Sequence, residues 1–334
     1  MAQPPPDLKI PSSKSTVSVR IIDTTSWIKG IPAAGFFSPD IKGFAHLVLF
    51  DLGVRKDIEN FAPRIANRIK DGGWSVTVQQ GVRTQLEANG VPASSIEAII
   101  CTALVVGPNF KSSFIPGFPS NKDSPIRESD YSGRELREIS FEENRGFKIG
   151  NFNAYDYFGD GSFYLLDSPG HAIGHMCALA RVSSQGKEAF IFMGGDACHH
   201  VGEFRPSPYL PLPSHITPNP MYSTSATPCP GSIFEHLLRD GDTQKPFYEI
   251  ARLPDGKGIA HDVDEAQRTI GKVIEADARD DILVVMAHDE TLVGVVDFFP
   301  KYADGFYEKG WVEKGRWLFL RDFKHALEDE GAEK

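Results

Sequence analysis

DSPGHAIGH, residues 167–175, lies between two apolar runs, SFYLLD before it and HMCALARV after it. The flanking runs have the residue content of strands, and Pro169-Gly170 supplies a tight turn that presents His171 at the end of the first. His175 then opens the second. The same arrangement recurs twice downstream. AFIFMGGD runs into MGGDACHH (193–200), where Gly194-Gly195 lets the backbone approach closely before Asp196. DILVVMAHDE (281–290) is an apolar strand that delivers His288 and Asp289 to a sheet edge. A single histidine after a strand is more often a core or surface side chain, and a Gly-Gly-Asp turn is usually only a turn. Three such strand ends in one chain are far more specific. Imidazole and carboxylate arriving from separate strand ends form the donor set of a zinc or iron hydrolase.

With the earlier strand ending FDLG (50–53), the motifs SPGHAIGH, FMGGDA and AHD resemble the landmarks of the metallo-β-lactamase superfamily, and of its fungal lactonase-like and lactamase-like branch in particular. The resemblance spans roughly residues 20–295. It implies an α/β (α+β) chain, an αββα sandwich of two mixed sheets with outer helices. It also implies two metal ions between the sheet edges and a hydroxide between them that attacks a lactam, lactone or thioester carbonyl. Carried over residue by residue, His171 ligates the first metal, Asp196 bridges both and acts in catalysis, and His288 ligates the second. The family draws further contacts from a His-x-His-x-Asp-His loop after a strand like IEAIICT (96–102), and this chain has no such loop. It passes from Thr102 directly into ALVVGPNFKSSFIPGFP (103–119). This junction reads as an in-frame deletion of about 15–20 residues, the minimum length of a crossover between parallel strands. The fold is therefore expected to be locally truncated near residue 102, with IEAIICT and ALVVG fused or rearranged.

His171, Asp196 and His288 cannot hold two metals, but two imidazoles and a carboxylate suit one ion with open positions. Zinc is the expected metal, ahead of iron or manganese, with one ion or none. His175, Cys198, His199, His200 and Asp289 lie within a few residues of these ligands and are available as substitutes, but His199, His200 and Tyr209 are expected rather to line the substrate pocket, His175 to support its neighbours, and Tyr209 or Arg205 to polarise a carbonyl oxygen. Three readings stay open: a weakened hydrolase of lactams, lactones or other esters serving secondary metabolism or detoxification, a metal-free binding module, and a chain that omits a coding segment.

The totals agree with a small-molecule enzyme. Lys and Arg number 35 against 45 Asp and Glu, and the net charge of −10 disfavours nucleic acid and anionic membranes as partners. No run of 18 apolar residues occurs, and the Pro-rich start MAQPPPDLKIPSSKS lacks the apolar core of a secretory signal, so a cytoplasmic protein is expected. Cys101, Cys177, Cys198 and Cys229 form no CxxC pair and read as buried thiols. Residues 1–15 read as a leader and 16–334 as a single domain. Its eight prolines between 205 and 230 mark an ordered lid, in which Phe204, Arg205, Tyr209 and Tyr222 shape substrate choice. TVSVRIID (16–23) and FAHLVLFDLG (44–53) read as neighbouring strands. Helices are expected over NFAPRIANRIKDG, residues 80–89, SGRELREI, residues 262–277 and WLFLRDFKHALEDE. Composition leaves the oligomeric state open.

Overall fold

The computed structural model describes residues 2–29, 37–38, 55–92, 105–133, 135–142, 147–252 and 258–332. Its centre is a six-stranded sheet. In chain order the strands are β1 (Lys148–Ile149), β2 (Phe152–Asp156), β3 (Phe163–Asp167), β4 (Met176–Ser183), β5 (Ala189–Gly195) and β6 (Ile282–Met286). They lie side by side in the order β6-β5-β4-β3-β2-β1. Every neighbouring pair is antiparallel except β5 and β6, which run parallel. A parallel pair needs a long crossover, and the chain between them supplies it with the Pro-rich segment and helix α1 (Val263–Asp277).

The period of two along the strands gives the sheet two apolar faces. Tyr164, Leu166, Cys177, Leu179, Phe190, Phe192, Ile282 and Val284 share the first, against Val263, Ala266, Ile270 and Val273 of α1. Asp262 caps that helix by accepting the Glu265 N–H. Phe234, Phe247, Phe319, Leu320 and Phe323 extend the same layer. On the second face, Ile191 and Leu283 meet Leu292, Val296, Phe306 and Trp311, while Leu165, Met176 and Ala178 meet Val105, Ile139 and Phe141.

Several expected elements are found and others change type. Pro63–Asp71 and Val82–Ala88 are helices, as their apolar spacing predicts. TVSVRIID is not a strand: its one ladder contact is the bridge from Ile21 to Phe298, and the chain is tied there by backbone bonds from Val17 to Arg181 and from Ala303 to Val19. The described residues of SGRELREI form no helix either. Arg137–Glu138 pairs in parallel with Val105–Val106, and a short helix occupies Glu128–Tyr131 instead, so strand pairing overrides local helix propensity. The C-terminal WLFLRDFKHALEDE begins as a 3-10 turn over Leu318–Phe323 and becomes α-helical at Lys324. The Pro-rich start is integral to the core, since Leu8 is buried and its carbonyl accepts from Gly150. Residues 44–53 and the junction at Thr102 and Ala103 lie outside the described residues.

Candidate metal centre

Three strand ends converge as their sequence predicts, and each is aimed by a local device. Gly170, at the turn after β3, has φ +121°, and a side chain there would place Cβ 2.1 Å from the Ala266 nitrogen. The turn therefore rests directly on the first turns of α1. Its carbonyls accept from His261 and Asp262 at 2.9 Å, and the Pro169 carbonyl accepts from the Thr269 hydroxyl at 2.8 Å. These bonds hold the backbone of His171. At the end of β5 the register with β6 shifts between Met193 and Gly195, a bulge that turns the chain before Asp196. A Cβ on Gly194 would meet the Met286 sulfur at 2.0 Å, so the glycine leaves the space that the Met286 side chain fills. Beyond β6, Ala287 donates to the Gly195 carbonyl and carries His288 alongside Asp196.

The side chains complete a compact cluster. His288 Nε2 hydrogen-bonds Asp196 Oδ1, and His171 Nε2 lies 3.5 Å from Asp196 Oδ2. The His199 ring stacks on His288 at 5.1 Å between centroids and lies 4.9 Å from His171. Donor atoms of Asp196, His199 and His288 all fall within 4.8 Å of one another. His175 supports this group from behind. Its Nε2 accepts the Asp196 N–H at 3.2 Å and its Nδ1 lies 3.0 Å from the Ser168 carbonyl, so both ring nitrogens are occupied.

Electrostatics favour the forms that bind cations. Burial works to raise the Asp196 pKa, but His288, His171 and His199 together hold the carboxyl well below the usual carboxylate range. Burial pushes the His171 imidazole down against the pull of Asp196. It pushes His199 down strongly, helped by His171 and His288. The result is an ionised carboxylate beside two imidazoles, His171 and His199, biased towards the neutral form. His171 Nδ1 is buried and has no hydrogen-bond partner among the described residues.

The adjacent histidines part company. His199 enters the cluster, whereas His200 turns into the core, where its Nδ1 accepts the Gly202 N–H at 2.9 Å and its Nε2 lies 3.3 Å from Asp322 Oδ2. Its ring packs against Tyr248, Phe319 and Phe323. The expectation that His200 lines a substrate pocket is therefore corrected: extended backbone at His200 alternates the two side chains, and the aromatic layer takes the second. Arg205 is also corrected as a carbonyl-polarising group. Its Nε and a terminal nitrogen grip Asp277, another nitrogen donates to the Arg316 carbonyl, and the pair is buried. Asp289 caps the turn that follows it by accepting the Thr291 N–H at 3.0 Å. Tyr209 is half-buried, and Tyr222 is exposed.

Sequence reasoning passed over Glu203. The residue is fully buried, and its Oε2 accepts the N–H groups of His199 and His200 at 2.6 and 3.2 Å. Burial pushes its carboxyl up to about 8 despite those two bonds. The signal available in the sequence was its position three residues after His200, the capping-box spacing that the structure uses. A cavity of about 380 Å³ borders Gly195 and Ala287 and is lined chiefly by apolar side chains, among them Ile21, Met176, Met193 and Val285.

Comparison with known proteins adds the following. No family model matches the chain. The chain is 43% identical to the γ-lactamase FDB1 of Fusarium pseudograminearum (strain CS3096), over 96% of its own length and 85% of that protein. It is 41% identical to the metallo-hydrolase mfmC of Annulohypoxylon moriforme, over 97% of its length and 92% of that protein. The alignment with the γ-lactamase spans 357 residues against 334 in this chain, so at least 23 of its positions face no residue here. Among solved structures, an N-acyl homoserine lactone hydrolase with its product bound at the catalytic metal centre superposes with a TM-score of 0.51. That match covers 86% of this chain and 99% of the other at 11% identity, and it shows a shared fold.

Proposed function

Since this chain belongs to the fungal lactamase-like branch of the metallo-β-lactamase superfamily, we propose that it is a hydrolase that opens cyclic amides or esters, with a γ-lactam as its first candidate substrate and zinc as its metal. The observation that carries this reading is the ionised Asp196 held between His171 and His288 at the ends of three strands. The buried His171 Nδ1 without a partner and the mutual spacing of the donor atoms fit a cation at this point. Imidazoles with one carboxylate favour zinc over the oxygen-preferring ions.

Asp196 and His288 would hold the ion, with His171 beside them. Zinc, when bound, supplies positive charge to a polarised carbonyl and makes water acidic enough to attack near neutral pH. The protein's own contribution is to fix these groups before substrate arrives. His175 fixes the Asp196 backbone, α1 fixes His171 through the bonded turn, and the β5–β6 bulge fixes Asp196 against His288. The largely apolar cavity next to Gly195 and Ala287 would seat the ring of a small lactam or lactone. On this reading the enzyme acts in the cytoplasm, in secondary metabolism or detoxification, and its net charge of −10 accords with a small-molecule substrate. No helix among the described residues is long and apolar enough to cross a membrane.

A second reading is favoured by one observation. None of the ten histidines stands in a His-x-His pair, so the loop that supplies most metal contacts in the family is missing, and the chain would serve as a metal-free binding module. Elemental mass spectrometry and ring-opening assays on a panel of γ-lactams and γ-lactones decide between the two. The hydrolase reading expects near-stoichiometric zinc and turnover, both lost in a His171→Ala, Asp196→Ala double variant. Folded wild-type protein with neither metal nor turnover would leave the binding module.

A further inference from the structure

We propose that His199 is a metal ligand in this chain, joining Asp196 and His288 in a one-metal site, while His171 braces the other oxygen of Asp196. The inference rests on the metal-dependent reading above and assigns a residue that the His171, Asp196 and His288 set leaves out. Three observations carry it.

First, the donor atoms of Asp196, His199 and His288 lie within 4.8 Å of one another, close enough to converge on one ion. His171 faces Asp196 Oδ2, whereas His288 holds Oδ1, so the two imidazoles address different oxygens of the carboxylate. Second, His199 already faces the cluster. Glu203 accepts its N–H at 2.6 Å, the next residue is anchored in the aromatic layer by Gly202 and Asp322, and the His199 ring stacks on His288. Third, the chemistry needs a third protein donor. Two imidazoles and a carboxylate leave one coordination position for water or substrate, the arrangement of a catalytic zinc site, and a chain with no His-x-His pair must find its donors locally. Asp196 and His199 supply two of them from a single turn.

The test uses the purified full chain. Zinc and cobalt(II) are titrated into wild type and into His199→Gln, His171→Gln and His200→Gln, with affinity, stoichiometry and the cobalt absorption spectrum as readouts and thermal melting as a check on folding. The proposal expects one ion per wild-type chain and a loss of affinity of more than about 100-fold in His199→Gln. The loss for a merely supporting partner is about 10–100-fold, and His171→Gln should fall there. The cobalt spectrum should change in His199→Gln and hold in His200→Gln. Should His199→Gln fail to fold, long-range nitrogen-15 spectra of histidine-labelled wild type, recorded with and without zinc, report ligation directly, and the His199 ring nitrogen must shift. One ion in wild type with unchanged affinity and spectrum in His199→Gln, or an unmoved His199 nitrogen, overturns this assignment and leaves the metal-dependent reading standing. No ion in folded wild type overturns both.

Discussion

The two ends of the chain are held together in different ways. From residue 147 onward, six strands share continuous ladders, bury both faces, and bring their ends to one point. Between residues 16 and 142 the described strand pairings are short: Ser26–Lys29 with Ser75–Val78, Val105–Val106 with Arg137–Glu138, and Phe37–Ser38 with Glu249–Ile250 of the later part. The difference teaches that the chemistry-bearing residues belong to the part with the continuous ladders. Asp196, His199 and His288 are carried by β5, β6 and the segment that joins them, and His171 by the turn braced on α1. The first third of the chain packs around this part, through Leu8 on one face and Val105 on the other.

Four changes test that contrast, beginning with the largest. Asp277→Ala strands the buried Arg205 guanidinium, whose Nε lies 2.8 Å from Asp277 Oδ2. The expected loss is about 3–5 kcal/mol in urea unfolding, the cost of breaking a buried pair from one side. Gly170→Ala forces Cβ to 2.1 Å from the Ala266 backbone at a φ of +121°. About 3 kcal/mol of stability should be lost, and metal affinity should fall by about 10–100-fold, because the turn that carries His171 must move. If Gly170→Ala melts like wild type, α1 does not brace the site. Chelation comes third: removing a metal present at about 100 times its dissociation constant should cost about 2.7 kcal/mol, and an Asp196→Ala variant should show no such difference. Smallest is Val76→Ala in the Ser75–Val78 strand, whose side chains alternate between exposed and half-buried. It should cost about 1 kcal/mol or less by the same unfolding measurement and leave metal content unchanged. A larger loss there, or loss of metal, would break the contrast between the two regions.

Much of the fold was legible because its signals are local. Apolar runs located β3 to β6, the Pro169-Gly170 and Gly194-Gly195 turns located the ends of β3 and β5, and a 3.6-residue period located α1. Where local signals compete with pairing, pairing wins: SGRELREI reads as a helix, yet Arg137–Glu138 joins Val105–Val106. The prolines of 205–230 ruled out helix and central strand, as found, but could not reveal that Phe204 to Ser207 are buried or that Arg205 is committed to Asp277.

The site divides in the same way. His171, Asp196 and His288 stand out in the sequence because each follows an apolar strand, and a strand has one direction in which to deliver its last residues. The pair His199-His200 carries no such information, since two equal side chains in consecutive positions point to opposite sides of an extended backbone. Which of them meets Asp196 is decided by the aromatic layer of Tyr248, Phe319 and Phe323 and by Glu203, residues 3 to 124 positions away that only the folded chain brings together. The sequence alone determined the strand ends and the donors they carry. Tertiary packing alone decided the facing of His199, the engagement of Arg205 and the burial of Glu203, because each depends on partners whose distance in space no residue pattern encodes.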